Sequence, residues 1–180
     1  MKKTILFAFV LLFSSTSLFA QWTFKHYVDE FGDATGDPYI SSVDVNGNFT
    51  NSATNGSLLI VKCLISYSEG DSLPDIRFDL YEYGGGVAVG KAIGDAKYTL
   101  TVKLADDTKE EYTLDAGEDA LYLEFFNPDQ TKSFISLLRK ESKLIKSIIV
   151  IDGDYSTQTY RFKLNPIGFS TAFAKIRPKL

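Results

Sequence analysis

Tyr98-Thr99-Leu100-Thr101-Val102-Lys103-Leu104-Ala105-Asp106-Asp107-Thr108, followed by Lys109-Glu110-Glu111-Tyr112-Thr113-Leu114, is the stretch whose reading decides the fold class. Tyr98, Leu100, Val102 and Leu104 alternate with Thr99, Thr101 and Lys103, and the run from Glu110 to Leu114 returns beyond Asp106 and Asp107. A period of two places one set of side chains in a core and the other in water, and Asp-rich residues between two such runs favour a reversal. The stretch reads as an antiparallel hairpin. Ile76, Phe78 and Leu80 repeat the alternation against Arg77, Asp79 and Tyr81, and Tyr160, Phe162 and Leu164 repeat it against Arg161 and Lys163.

Working outward, Asn46-Gly47-Asn48, Gly84-Gly85-Gly86 and Asp152-Gly153-Asp154 read as further reversals. The apolar runs Leu58 to Ile65 and Ile148 to Ile151 read as central strands buried on both faces. Helix enters late. Asn127-Pro128-Asp129-Gln130 offers a cap, a proline at the first helical position and a capping-box glutamine, with Phe134, Leu137 and Leu138 at helical spacing. A second short helix is predicted from Asn165-Pro166 or Ser170, burying Phe169 and Phe173. The predicted fold is mainly β: an antiparallel β-sandwich or flattened barrel of about eight to ten strands with one or two short helices near the C-terminus.

The first twenty residues read as a secretory signal peptide. Met1-Lys2-Lys3-Thr4 supplies a positive start, Ile5 to Phe13 a short apolar run, and Ser17-Leu18-Phe19-Ala20 a small residue at the cleavage point. The run is shorter than the roughly 20 apolar residues that span a bilayer, so no stable membrane insertion is expected after its removal. The expectation is residues 1–20 as signal peptide and 21–180 as one β-rich domain, exported to a bacterial periplasm or cell surface. Removing Lys2 and Lys3 from 19 basic residues leaves 17 against 23 acidic ones, a net charge of −6. That balance argues against a nucleic-acid partner, whose phosphates need a basic face. Cys63 is the only cysteine, so no intramolecular disulfide forms, and its place in an apolar run makes it a small buried hydrophobe.

Candidate chemistry is thin. Gly85-Gly86-Val87-Ala88-Val89-Gly90-Lys91 has a phosphate-loop skeleton, but Ala92 stands where a hydroxyl must hold magnesium and a strand pattern follows. Asp29, Asp33 and Asp37 with intervening glycines resemble oxygen ligands for calcium, yet their spacing is not that of an EF-hand and turn chemistry explains them better. His26, the sole histidine, has no serine elbow to serve; Gly168-Phe169-Ser170-Thr171-Ala172 lacks the final glycine. Asp79, Glu82 and Glu124 are carboxylates on predicted strands whose separation only the fold fixes. Tyr81 and Tyr83, by alternation, leave the face of Phe78 and Leu80; they suit a sugar- or peptide-stacking platform, but a second packed layer or cross-strand pairing explains them better. On these grounds no catalytic residue, metal ligand or cofactor is assigned, and the binding residues are unknown.

Trp22…Asp29-Glu30-Phe31-Gly32-Asp33, Thr35-Gly36, Tyr39-Ile40 and Asn51-Ser52-Ala53-Thr54, with the later Tyr160, Phe162, Leu164 and Gly168-Phe169, resemble a family of small exported bacterial proteins of unknown function. The layout is also distantly similar to periplasmic accessory proteins of type VI secretion. Neither resemblance implies an activity or a set of functional residues.

The functional expectation is an exported, non-enzymatic binding or interaction module whose partner is an unknown protein or glycan. The alternatives are a carboxylate-dependent hydrolase acting on glycans and a calcium-stabilised structural domain using the Asp29–Asp37 loop.

Overall fold

The computed structural model describes residues 21–68, 70–83, 85–86, 96–117, 122–154 and 156–176. In chain order the described strands are β1 (Trp22–Val28), β2 (Ala34–Ser42), β3 (Val45–Thr50), β4 (Asn55–Ser66), β5 (Asp75–Glu82), β6 (Gly85–Gly86), β7 (Lys97–Lys103), β8 (Lys109–Ala116), β9 (Leu123–Glu124), β10 (Ile145–Asp152) and β11 (Thr157–Leu164). Helix α1 (Pro128–Lys140) lies between β9 and β10, and α2 (Phe169–Ile176) lies near the C-terminus.

The hairpin forms as read. β7 and β8 pair from Tyr98↔Leu114 to Lys103↔Lys109, and the reversal is held by Thr108 N–H donating to Asp106 Oδ1 at 3.0 Å. Asp107 takes a positive φ of 67° there, a conformation that Asp tolerates better than most residues. From this hairpin the antiparallel pairing continues through β10, β11, β3 and β4 on one side and β9 and β5 on the other. The β4–β5 pairing, Leu59↔Glu82 to Ser66↔Asp75, joins the two ends. The result is a closed antiparallel barrel of eight strands. Closure removes the free edges an open sheet would expose.

Alternation fills the barrel with side chains. Phe49, Leu59, Val61, Cys63, Ile76, Phe78, Leu80, Leu100, Leu114, Ile149, Tyr160 and Phe162 are buried together. Cys63 is wholly inside, and burial drives its thiol far above the ordinary range, so it stays protonated. β1 and β2 form a hairpin outside the ring. β2 pairs with the C-terminal part of β4 (Tyr39↔Ser66, Ser41↔Leu64) and β3 with its N-terminal part (Val45↔Val61). Between them the ladder is interrupted, and the Cys63 amide donates to Ser42 Oγ at 3.0 Å, which satisfies a buried group the break would otherwise orphan. Helix α2 packs on this annex. Phe169 meets the Trp22 ring at 5.0 Å, and Trp22 Nε1 donates to the Asn165 carbonyl at 2.8 Å.

Helix α1 starts where the sequence places it. Asn127 Oδ1 accepts from the Asp129 and Gln130 amides, with Pro128 at the first position. The capping box is only half made, because Gln130 Oε1 instead accepts from Thr113 N–H of β8 at 2.8 Å and ties the helix to the barrel. Phe134 enters the barrel end, 6.0 Å from Phe78, 5.4 Å from Tyr112 and 5.0 Å from Phe125 between ring centres.

Two expectations are corrected. Asn46-Gly47-Asn48 is not a reversal but the middle of β3; the chain turns at Asn51, whose side chain accepts from the Ala53 and Thr54 amides. Glycine is needed at 47 because a Cβ there would overlap the Arg161 carbonyl of β11 and stand 3.1 Å from Phe162 Cβ. The runs at 58–65 and 148–151 are barrel strands only partly covered on both faces: Leu58 is 56% exposed and Ile60, Ile148 and Val150 are half-buried on the outside, whereas Cys63, Leu64 and Ile65 are buried in succession beside the β2 annex. Gly84 and positions 87–91 of the glycine-rich stretch lie outside the described residues.

Gly47→Ala should lower stability by about 1–3 kcal/mol, the usual cost of forcing extra atoms into a packed site. Urea unfolding checks this; a change within experimental error would mean that β3 and β11 are not in close contact at this point.

Candidate functional site

Helical periodicity writes one stripe on α1: Lys132, Ser136, Arg139 and Lys140 recur at offsets of four, seven and eight, opposite the buried Phe134 and Leu138. Facing this stripe, α2 presents Ser170 and Phe173, three apart and so on one side of the helix. The β4–β5 connection supplies Tyr67, Ser72, Leu73 and Pro74. With Ile135 these residues line an open cleft of about 670 Å³ at the α1 end of the barrel. That volume falls within the roughly 300–1,000 Å³ of small-ligand clefts.

The two halves of the cleft differ in chemistry. Its floor is apolar: Phe173 and Ile135 are buried, and Tyr67 packs 6.2 Å from the Phe173 ring. Its rim carries three cations and three serine hydroxyls, with no acidic side chain among the described residues of the lining. Lys132 makes an exposed 3.4 Å contact with Asp129, a pair that water screens almost completely. The first turn of α2 carries no acidic residue, so the positive helix end beside Ser170 is uncompensated.

The residues singled out in the sequence fall elsewhere. Asp29 Oδ1 accepts from the Phe31 and Asp33 amides at 2.9 Å each, so it closes the β1–β2 turn. Among the described residues no three His, Cys, Asp or Glu side chains are grouped to hold a metal ion. His26 is exposed on β1 against the Phe24 ring, 5.0 Å away.

Asp79 and Glu82 occupy opposite faces of β5. Glu82 accepts from Tyr160 Oη at 2.8 Å at the barrel end remote from α1. Burial, and secondarily the bond to Glu82, pushes the Tyr160 phenol well above its ordinary range. Asp79 faces outward, its side chain 17% exposed and 3.4 Å from Arg77 Nε. Glu124 lies across from Arg77 on β9, and the Arg77 guanidinium sits 5.0 Å over the Tyr122 ring. Burial raises the Asp79 carboxyl despite the opposing pull of Arg77 and Lys62. Tyr81 lies under Lys62 Nζ at 5.2 Å. Tyr83, at a positive φ of 50° and 68% exposed, donates to Ser57 Oγ at 3.0 Å and packs edge-on against Phe49. The two tyrosines therefore rest on separate neighbours rather than forming one stacking platform.

Sequence reasoning missed the cleft. Phe173 read as a packing residue and Ser170 as a helix start whose surroundings lack a serine elbow, while Tyr67 and Ser136 carried no signal. The one available clue was the spacing of Lys132, Ser136 and Arg139 on a helix whose other side is apolar.

Because the folded protein holds the Asp79 proton more tightly than the unfolded chain, its ionisation costs stability as pH rises through the carboxylate range. The stability of Asp79→Asn relative to wild type should therefore increase between about pH 3 and pH 7. Chemical unfolding across that range checks the sign, and a difference that is flat or falls with pH contradicts it. The chain matches no protein-family model, no curated protein and no solved structure, and the cleft is therefore described from this chain's residues alone.

Proposed function

We propose that the protein is an exported, non-enzymatic binding module that takes its ligand in the cleft between α1, α2 and the β4–β5 connection. The observation that carries this reading is the division of the molecule. The barrel interior is filled by its own side chains, whereas the cleft leaves about 670 Å³ open and gathers polar groups from three separate elements. A packed barrel supplies rigidity, and convergent polar groups over an apolar floor are what small-ligand recognition requires. Export rests on the lysine-led apolar leader at 1–20. Among the described residues no helix is long and apolar enough to cross a membrane.

A glycan hydrolase remains the second reading because of Asp79. A half-buried carboxyl whose proton is held more tightly than usual, on the same outward face as Glu124, is the kind of group that serves as a general acid.

Ser136→Trp fills the cleft from an exposed helix position. In a thermal-shift panel of peptidoglycan fragments, neutral glycans, short peptides and amphipathic acids, at least one ligand should raise the wild-type melting temperature by several degrees. The same ligand should leave Ser136→Trp unshifted. A panel that shifts neither protein, or both alike, rejects the cleft as the binding site.

A further inference from the structure

Building on the binding-module reading, we infer that the cleft is made for an amphipathic anion: a single carboxylate or phosphate head carried on an apolar chain or ring. The chain as a whole is acidic, with a formal net charge of −4, yet Lys132, Arg139 and Lys140 converge on one cleft whose described lining residues include no acid. Of the three, Lys132 has Asp129 at 3.4 Å and Lys140 lies within electrostatic reach of Asp106. Arg139 has no hydrogen-bond or ion-pair partner among the described residues. A guanidinium with no partner among the described residues presents at the rim a planar fork that matches a carboxylate or phosphate. Ser136 and Ser170 add hydroxyl donors on either side, and the start of α2 adds the positive end of its dipole.

Charge alone would suit any small anion. The floor narrows the class, because Phe173, Ile135, Pro74 and the Tyr67 ring form an apolar surface beneath the cations. A fully hydrated ion leaves that surface wet; an alkyl or aryl body covers it and contributes about 25 cal/mol per Å² of apolar area removed from water. The ligand is a soluble monomer, since the cleft is sized for one small molecule and a net acidic protein is repelled by an anionic membrane surface.

The test is equilibrium binding to the purified protein, with dodecyl phosphate held below its micelle-forming concentration as the probe. Dodecyl maltoside keeps the chain without the charge, inorganic phosphate keeps the charge without the chain, and vesicles of anionic phospholipid present the same head at a membrane. Dodecyl phosphate should bind at least about tenfold more tightly than either partial probe, and Arg139→Gln should weaken it by about tenfold, the loss typical of one charge-assisted hydrogen bond. Lys140→Gln gives a second reading should Arg139→Gln disturb the helix, which circular dichroism reports. Equal binding of dodecyl maltoside, unaffected by Arg139→Gln, overturns the anion assignment and leaves the binding-module reading standing. Binding to vesicles with none to the monomer overturns the soluble ligand. Absence of binding to every probe here removes the amphipathic anion, and the Ser136→Trp panel then decides the broader reading separately.

Discussion

Everything at the cleft end of the molecule depends on how Phe134 closes the barrel. Eight strands around a ring leave two open ends, and water entering either would meet Phe78, Tyr112 and Leu100. At the α1 end the opening is stopped by one ring, wholly buried and in aromatic contact with Phe78, Tyr112 and Phe125. Aromatic contacts of this kind add roughly 0.5–1.5 kcal/mol per pair beyond the area they bury. Because Phe134 points inward, helical geometry obliges Lys132, Ser136 and Arg139 to point away from the barrel, and the cleft follows from the plug.

Among the described residues the opposite end carries a set of side-chain hydrogen bonds. Tyr160 donates to Glu82, and Tyr83 hydrogen-bonds with Ser57 and Thr54, so the described rim there is a set of satisfied hydroxyls. The two ends thus differ in kind. The annex of β1, β2 and α2 makes the difference useful: it is fastened to the ring through β4 and through Trp22 and Phe169, and it brings α2 alongside α1 to complete the second wall.

Local physics was legible in the sequence and assembly was not. The β7–β8 hairpin was readable because Asp106 and Asp107 interrupt an unbroken period of two, and α1 because Asn127 and Pro128 are strong start signals. Asn46-Gly47-Asn48 misled, since a glycine serving close strand approach carries the same letters as a glycine serving a turn; only its neighbour, the Arg161 carbonyl, separates the two. Leu58 to Ile65 misled only in its first half, where the outward residues of a barrel strand are half-covered by their neighbours and tolerate apolar side chains without a second layer; Cys63, Leu64 and Ile65 are buried on both faces as read. The cleft was illegible because it joins residues from three distant segments, each with an adequate local role. Tyr67 follows β4, Ser136 sits mid-helix and Ser170 opens α2, and no spacing along the chain links them.

The most direct measurement of the central claim is the Phe134→Ala protein, studied by urea unfolding together with amide hydrogen exchange. Removing the plug should cost about 3–5 kcal/mol, as buried aromatic truncations do. Exchange should accelerate most in α1, while the hydrogen-bonded amides of β10 and β11 keep their relative protection. A loss below about 1 kcal/mol, or exchange that rises evenly through barrel and helix alike, would contradict the account, because the helix would then owe its place to something other than Phe134.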